Sequence, residues 1–136
     1  MSALESGRIR VVRDEGLGGM ADGLLEELKQ DTQSRMPAAQ ELGLQEIRRT
    51  LARARARPAR PGEPPRRISG DLMRSWRAGR VRASNRSVRG ELESDHDAAG
   101  ALEWGAPRLG IEAHPYVRPT FARIQPQVER ILMGGR

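Results

Sequence analysis

Residues 98–121 read AAGALEWGAPRLGIEAHPYVRPTF, and this stretch decides how the second half of the chain is built. It holds three of the four aromatic residues of the protein, Trp104, Tyr116 and Phe121. The alanine-rich start predicts a short apolar helix up to Trp104, and Gly105 predicts its end, because glycine readily adopts the backbone conformations that close a helix. Large apolar side chains are scarce elsewhere, so we expect this segment to supply much of the core.

The residues that follow this loop predict a last, amphipathic helix. Pro119 suits the first helical position, where the backbone N–H has no acceptor within the helix. Pro126 falls inside the pattern and predicts a bend or a restart. Apolar residues recur at helical spacing: Phe121, Ile124, Val128, Ile131 and Leu132.

The N-terminal part predicts one strand and one long helix. Arg8–Arg13 (RIRVVR) is β-branched and flanked by arginines, which is typical of an edge strand. Gly16–Gly19 (GLGG) predicts a turn. From Met20 to about Arg57 the apolar residues follow helical spacing. Pro37 lies between two apolar stripes and predicts a kink or a break, with the proline opening the second half.

The middle of the chain predicts a loop and then a short element. Pro58–Pro65 (PARPGEPP) contains four prolines, which exclude a helix or an inner strand. We therefore expect an extended, positively charged arm. Ile68–Trp76 predicts a turn followed by a short helix or strand, in which Asp71 caps a helical turn.

Two strands, Val81–Ala83 and Ser87–Glu93, are predicted to be joined by Asn85-Arg86, because asparagine tolerates a positive φ. The order of elements predicts an α+β fold: a small antiparallel β-sheet packed against a long N-terminal helix, with a C-terminal helix. A chain of 136 residues is expected to form one domain. Its parts are the N-terminal strand and turn (1–19), the long helix (20–57), the Pro/Arg-rich loop (58–67) and the sheet with the C-terminal helices (68–133).

The charge of the chain is strongly polarised. The net charge is +6, and 23 of the 24 basic residues are arginine. Residues 48–89 hold 14 arginines against two acidic residues, a net charge of +12, which leaves −6 for the rest. Such a tract binds either nucleic-acid phosphates or acidic surfaces of proteins. A head-to-tail contact between copies is the preferred interpretation, since one copy carries both signs. The candidate interface or DNA-facing residues are Arg57, Arg60, Arg66 and Arg67.

The sequence offers little for catalysis or metal binding. It has no cysteine, which excludes disulfides and thiolate metal sites. Glu103 beside Trp104 resembles an acid with a raised pKa, but no second carboxylate at a suitable distance is apparent. We therefore predict no enzyme activity, no cofactor and no metal.

One acidic run, Glu91 to Asp97, leaves three alternatives open. Alternation along a strand places Glu91, Glu93 and Asp95 on one side, where a hard cation could bind. The same pattern is typical of a solvated edge-strand face, or of a patch that meets arginines of a neighbouring subunit. His96 and His114 have no partner histidine close in sequence.

Two further absences limit the class of protein. No run approaches the roughly 20 apolar residues of a membrane span. The N-terminus MSALESGRIR lacks the apolar core of a signal peptide. We expect a protein that is made in a cytoplasm and has no membrane segment.

Three short pieces, in this order and spacing, carry a resemblance to a known family. They are a glycine-leucine-serine step followed by tryptophan, a glutamate-aromatic-glycine step, and a proline-aromatic-x-arginine-proline step. In this chain they are Gly70, Leu72, Ser75 and Trp76, then Glu103, Trp104 and Gly105, then Pro115, Tyr116, Arg118 and Pro119. Over roughly residues 20–132 the chain resembles the head–tail connection and tail-completion (neck) proteins of long-tailed DNA phages, of the lambda minor tail protein Z type.

The resemblance implies a structural virion protein without catalytic residues. It implies a homo-oligomeric ring, with a hexamer favoured, at the head–tail junction or the upper tail around the DNA path. The expected partners are neighbouring neck or connector proteins and tail-tube proteins, with non-specific contact to phage DNA. The protein would be assembled in the bacterial host cytoplasm and end in the virion. The alternative is a small basic nucleic-acid-binding protein.

Under this resemblance the matched residues are scaffold. Gly70 and Gly105 permit turns, the aromatic residues supply apolar area, and Pro115 and Pro119 fix the entry to the last helix. Glu103 is expected to be partly buried and paired. An arginine is the expected partner, although the sequence does not say which one.

Overall fold

The computed structural model describes residues 9–17, 22–53 and 70–134. A 3₁₀ turn, Pro107–Leu109, lies between the helices Ala99–Trp104 and Val117–Leu132. The arrangement confirms the predicted α+β fold, with an antiparallel sheet packed against the long helix and a C-terminal helix. The elements are β1 (Ile9–Gly16), α1 (Asp22–Ala52), α2 (Asp71–Ser75), β2 (Arg77–Ala78), β3 (Arg82–Ala83), β4 (Ser87–Ser94), α3 (Ala99–Trp104) and α4 (Val117–Leu132).

Strand β4 is the centre of the sheet. It pairs antiparallel with β1 on one side and with β2 and β3 on the other. The prediction of β1 as an edge strand is confirmed, whereas β2 was not predicted. Alternate β4 residues face the helices and are buried, as the period of two requires: Val88, Gly90, Leu92 and Ser94.

A bulge separates β2 from β3. Residues 79–81 on this edge face only residues 90 and 91 of β4, so one residue is left over. The buried Gln40 side chain of α1 donates hydrogen bonds to the carbonyl oxygens of Gly79 and Glu91, both at 3.0 Å. A helix side chain thereby satisfies backbone acceptors at the bulge.

Two glycines allow α1 to lie close to the sheet and to α4. A Cβ on Gly90 of β4 would come within 2.6 Å of Met36 Cγ. A Cβ on Gly43 of α1 would come within 2.8 Å of Leu92 Cδ1 and 3.1 Å of Phe121 Cζ. Any larger residue would push the layers apart.

The buried apolar side chains form two clusters, and Phe121 packs against both. Trp76 and Tyr116 are fully buried in the first cluster and meet edge to face, with ring centroids 6.0 Å apart. The first cluster comprises Leu44, Ile47, Leu51, Trp76, Leu92, Ala99, Tyr116 and Val117. The second comprises Met36, Ala39, Val88, Ile124, Val128 and Leu132.

The prolines did not divide the helices as predicted. Pro37 lies inside one helix, α1, rather than opening a second one. Helix α4 begins at Val117, so Pro119 is its third residue rather than its first, and Pro126 also lies inside it. A proline removes a single helical hydrogen bond. The buried Met36 and Ala39 on either side of Pro37 hold the helix on the sheet, which explains why the alternative of a break is wrong. The alternative of a kink at Pro37 stays a prediction.

Two local predictions about caps and turns were also wrong. Gly70, with φ of 83°, occupies the N-cap of α2, and Asp71 is the first helical residue. Among the described residues no non-glycine has a positive φ, so Asn85 does not use one. Residues 84–86 instead form a three-residue connection, closed by the Ser84 N–H donating to the Ser87 carbonyl at 2.9 Å.

Several sequence predictions lie outside the described residues. These are Gly18 and Gly19 of the predicted turn, the helix beyond residue 53, the loop 58–67, and the candidate arginines Arg57, Arg60, Arg66 and Arg67. Gly16, the first residue of that predicted turn, instead ends β1.

Candidate functional site

Glu103, the last residue but one of α3, is fully buried and caps the start of α4. Its Oε1 accepts hydrogen bonds from the backbone N–H groups of Tyr116 at 2.8 Å and Val117 at 2.7 Å. Its Oε2 accepts from the N–H of Arg118 at 3.1 Å. The first N–H groups of a helix have no partner within it, and they attract negative charge. One carboxylate therefore satisfies three of these donors.

The predicted arginine partner of Glu103 is Arg118. Its Nε donates to Glu103 Oε2 at 2.7 Å, and its Nη2 donates to the Glu103 carbonyl oxygen at 2.9 Å. The same guanidinium lies over the Trp104 ring, 4.2 Å from the centroid. Arg118 is half exposed and Trp104 is 45% exposed. The buried anion thus connects to a cation–π pair at the surface.

Gly105 turns the chain back from α3. It has φ of 80°, and its N–H donates to the Ala101 carbonyl at 2.7 Å. A Cβ at this position would lie 3.2 Å from the Ala113 backbone nitrogen. The following loop is closed by two hydrogen bonds between the backbones of Ala106 and Ile111, at 2.9 and 3.1 Å. The predicted end of the helix at Gly105 is confirmed.

Tyr116 ties this joint to the core. Its hydroxyl donates to the Ala99 carbonyl at 3.0 Å, and its ring meets the edge of Trp76. Burial raises the pKa of the Tyr116 phenol well above its ordinary value, and the Glu103 charge adds to this shift. We call Glu103, Trp104, Gly105, Tyr116 and Arg118 the α3–α4 joint.

The first sequence piece lies against the same joint. Gly70 starts α2, and Ser75 bonds to the Leu72 carbonyl and shares a hydrogen bond with Ser94, both at 2.6 Å. Trp76 follows and contacts Tyr116. The three pieces, which are separated by up to about 40 residues in sequence, meet around one part of the core. Pro115 and Pro119 flank Tyr116 and Arg118 at the start of α4.

The acidic run lies on the outer face of the sheet, on the central strand β4 rather than on an edge strand. Arg10 of β1 lies 3.8 Å from Glu91 and 3.9 Å from Glu93. Arg77 of β2 lies 3.3 Å from Glu93 and 3.7 Å from Asp95. Within the structure, arginines of the same chain therefore meet this row.

The metal interpretation of this run gains no geometric support. No group of three or more acidic, histidine or cysteine side chains within the described ranges is placed to hold a metal ion. His96 is engaged locally, since its Nδ1 accepts a hydrogen bond from the Ala98 N–H at 3.0 Å. His114 lies in the loop before α4, where its backbone N–H donates to the Leu102 carbonyl at 2.6 Å.

Many arginines of the basic tract bind groups of their own chain. Arg48 donates to the Trp76 carbonyl at 2.7 Å, and Arg49 pairs with Glu46 at 3.1 Å. Others reach across elements: Arg77 to the acidic row, and Arg89 of β4 to Asp14 of β1 at 2.8 and 3.2 Å. The hydrogen bonds from Arg89 lower the pKa of the Asp14 carboxyl below its ordinary value. Sequence alone could not separate Arg48 from its neighbours, because all sit in one run of arginines.

Glu103 does not fit the role of an acid that must reach a substrate. Both carboxylate oxygens accept N–H groups, and the side chain has no exposed surface. Its arrangement is that of a structural cap, and Trp104 and Arg118 form the exposed side of the joint.

Within the described ranges, no helix is both long enough and apolar enough to cross a membrane. Comparison with protein-family models, with curated proteins and with solved structures found no match to this chain.

Proposed function

We propose that this protein is a structural subunit of a phage particle, acting in head–tail joining or tail completion as part of an oligomeric ring around the DNA path. The observation that carries the proposal is the convergence of the three resemblance pieces on the α3–α4 joint and the aromatic core behind it. Their meeting supports the proposal because it is what we expect if the three pieces form one structural unit.

The geometry of the matched residues supports the scaffold roles that the resemblance implies. Glu103 caps α4 and binds Arg118, while Tyr116 and Trp76 fill the core. None of these groups is arranged for a reaction. A subunit that must keep its shape during particle assembly benefits from a helix start whose buried carboxylate has both oxygens hydrogen-bonded.

The charge distribution supports contacts with other protein subunits more than readout of nucleic acid. Arg48, Arg49, Arg77 and Arg89 already bind acceptors within the chain, which leaves fewer cations for phosphates. We propose that the Pro/Arg-rich segment 58–67, with Arg57, Arg60, Arg66 and Arg67, contacts a neighbouring subunit or faces DNA.

Removing the protein from its particle tests this function. The gene is deleted from the phage or prophage that encodes it, and the lysate is examined by electron microscopy. We expect filled heads and tails that remain separate, or tails of defective upper end, and rescue by the gene supplied on a plasmid. Normal, joined particles from the deletion strain would contradict the proposal.

A variant lacking residues 58–65 separates the role of the arm from that of the fold. It should keep the thermal unfolding transition of the full protein and fail to rescue joining. Full rescue would contradict a role of residues 58–65 in joining, and the proposed structural role of the folded subunit would stand.

Exposed arginines on the β2–β3 edge favour the second candidate, a nucleic-acid-binding protein. Arg80 and Arg82 are both exposed on this edge, where phosphates can reach them. Binding to duplex DNA is measured at two salt concentrations. Tight binding that falls steeply with salt, from a protein that does not enter particles, would favour this candidate over the structural one.

A further inference from the structure

The outer edge of β1 presents unpaired backbone groups. The Leu17 N–H donates to the Arg86 carbonyl at 3.0 Å, which continues the β1–β4 ladder by one pair. In an antiparallel strand the N–H and C=O of one residue point to the same side, and the side alternates along the strand. The odd-numbered residues therefore face β4, and Arg10, Val12 and Asp14 direct their backbone groups outward. No strand among the described residues pairs with this edge.

A groove runs beside this edge, between β1 and α4. Its volume is about 260 Å³, and its wall is mostly apolar. Val11 and Arg13 line it from β1, and Phe121, Gln125 and Val128 line it from α4. The groove therefore lies between β1 and helix α4, with residues of α1 and β4 at its base.

The outer face of β1 has a symmetric charge pattern centred on Val12. Val12 is 43% exposed although it is β-branched and lies in a sheet. A cation, Arg10, lies two residues before it, and an anion, Asp14, lies two residues after it, all three on the same face. An exposed apolar residue on an open edge is a template for pairing with another strand.

We propose that β1 of a second copy pairs antiparallel with this edge, across a two-fold axis at Val12. In this register Val12 faces Val12, and Arg10 faces Asp14 on each side of the axis. The three outward-directed residues of each copy face one another, and each facing pair can exchange two backbone hydrogen bonds. Opposite charges directly across a strand pair stabilise it. Arg10 and Asp14 are both about half exposed and already face Glu91, Glu93 and Arg89 of their own copy, so each contact across the axis would join two existing ion pairs.

The neighbouring registers are worse matched. A shift by two residues in one direction places Arg13 opposite Arg13, and like charges in this position are destabilising. A shift by two in the other direction places Arg10 opposite Val12 and loses its contact with Asp14. The centred register alone opposes Arg10 to Asp14 at both ends.

The other edge of the sheet is a poor partner for β1. It consists of two strands of two residues each, interrupted by the bulge at residues 79–81. Its exposed side chains include Arg77, Arg80 and Arg82, which would repel Arg10. The edge that fits β1 in length and charge is another β1.

This pairing goes beyond the proposed ring and is independent of it. A two-fold contact closes after two copies, so it cannot by itself build a ring. It describes the free protein, and because the contact is small we expect a weak dimer.

A single introduced cysteine tests the register. The chain has no cysteine, so Val12→Cys places one thiol on the proposed axis. A short bifunctional thiol-reactive cross-linker, added to the full-length variant, should give a covalently linked dimer, seen on a denaturing gel, because facing thiols of a hydrogen-bonded strand pair are close but not at disulfide distance. Ala83→Cys, an exposed residue on the opposite sheet edge, is the matched control and should stay monomeric. Equal cross-linking of the two variants, or none at position 12, would overturn the proposal.

Sedimentation equilibrium tests the same contact without a covalent cross-link. The wild type should show a monomer–dimer equilibrium across the micromolar to sub-millimolar range. Val12→Lys sets two cations face to face and should raise the dissociation constant by about tenfold or more, whereas Val12→Thr should change it little. Thermal unfolding verifies that each variant is folded. A wild type that is monomeric throughout, or a dimer unaffected by Val12→Lys, would contradict the pairing.

Discussion

Two acidic sites of this protein both meet arginines, and they differ in almost every other respect. At the α3–α4 joint, Glu103 is fully buried and accepts three backbone N–H groups as well as the Arg118 guanidinium. On the outer face of the sheet, Glu91 and Glu93 are partly exposed and lie 3.3–3.9 Å from their arginines.

The difference is one of desolvation and hydrogen bonding, not of charge. A buried carboxylate must have its acceptor sites filled, and removing it leaves buried donors without partners. Water can replace either partner of an exposed pair, so such a pair contributes little. Glutamate and arginine therefore hold α3 and α4 together at the joint, whereas on the outer face of the sheet the same residue types contribute little to stability.

The largest effect is expected at Glu103. Glu103→Ala leaves three backbone N–H groups and Arg118 without their acceptor, and we expect the free energy of unfolding to fall by about 3 kcal/mol or more. Denaturant unfolding followed by circular dichroism measures this. Glu112→Ala, an exposed glutamate in the adjacent loop, should change stability by less than about 0.5 kcal/mol. Similar losses in the two variants would erase the distinction between buried and exposed acids.

Alkaline pH probes the same joint through Tyr116, the only tyrosine of the chain. Its pKa is raised in the folded protein, so above the ordinary tyrosine pKa of about 10 the unfolded phenol ionises while the folded one stays protonated. The stability linked to Tyr116 is present below that pH and is lost as the pH rises above it.

Tyr116→Phe should remove this alkaline loss. The gap in unfolding free energy between the wild type and the variant should narrow as the pH rises through about 10. Phenolate absorbance of the folded wild type should appear only at a pH well above the ordinary value. Ionisation of the folded protein at the ordinary pH would show that Tyr116 is accessible.

A smaller effect is expected at Arg118, which is half exposed. Arg118→Ala removes the ion pair and the Trp104 contact but leaves Glu103 bound to its three N–H groups, so we expect a loss of about 1–2 kcal/mol. Arg108→Ala, on the exposed 3₁₀ turn, serves as the control. A loss as large as that of Glu103→Ala would mean that the arginine, not the backbone, holds the carboxylate.

The smallest effect is expected on the outer face. Glu93→Gln breaks the contacts to Arg10 and Arg77, and we expect a change within about 0.5 kcal/mol, which shrinks further at high salt. The unfolding transition is compared in low and high salt. If Glu93→Gln lowered the free energy of unfolding by more than Arg118→Ala does, the ion pairs of the outer face would stabilise the fold more than the Arg118 contacts do.

Most of the fold could be predicted from periodicity and turn residues. The alternation in Ser87–Ser94 and the helical spacing in α1 and α4 reflect which faces are buried, and the positive φ of Gly105 follows from its place after a helix. The predicted break at Pro37 failed because proline propensity is local. The burial of Met36 and Ala39 against the sheet outweighs the loss of one hydrogen bond.

The residues of the candidate site could be named in advance, but their hydrogen-bond and ion-pair partners could not. The resemblance implied a partly buried, paired Glu103, whereas Glu103 is fully buried, and Arg118 could be identified as its partner only once the loop of residues 105–115 had folded back. Gln40 gave no sequence signal at all, since an amide in a helix is unremarkable until a bulge in a distant strand needs a donor.

Residue types and their spacing by themselves determined the α+β layout, because it depends on local propensity and on periodic burial, and the order of residues alone determined the polarised charge. Only the tertiary structure decided that one carboxylate caps α4, that the acidic row is neutralised by Arg10 and Arg77, and that β4 rather than an edge strand carries it. These features join residues that lie far apart in the sequence, and their energies depend on burial and exact distance, which arise only when the layers pack.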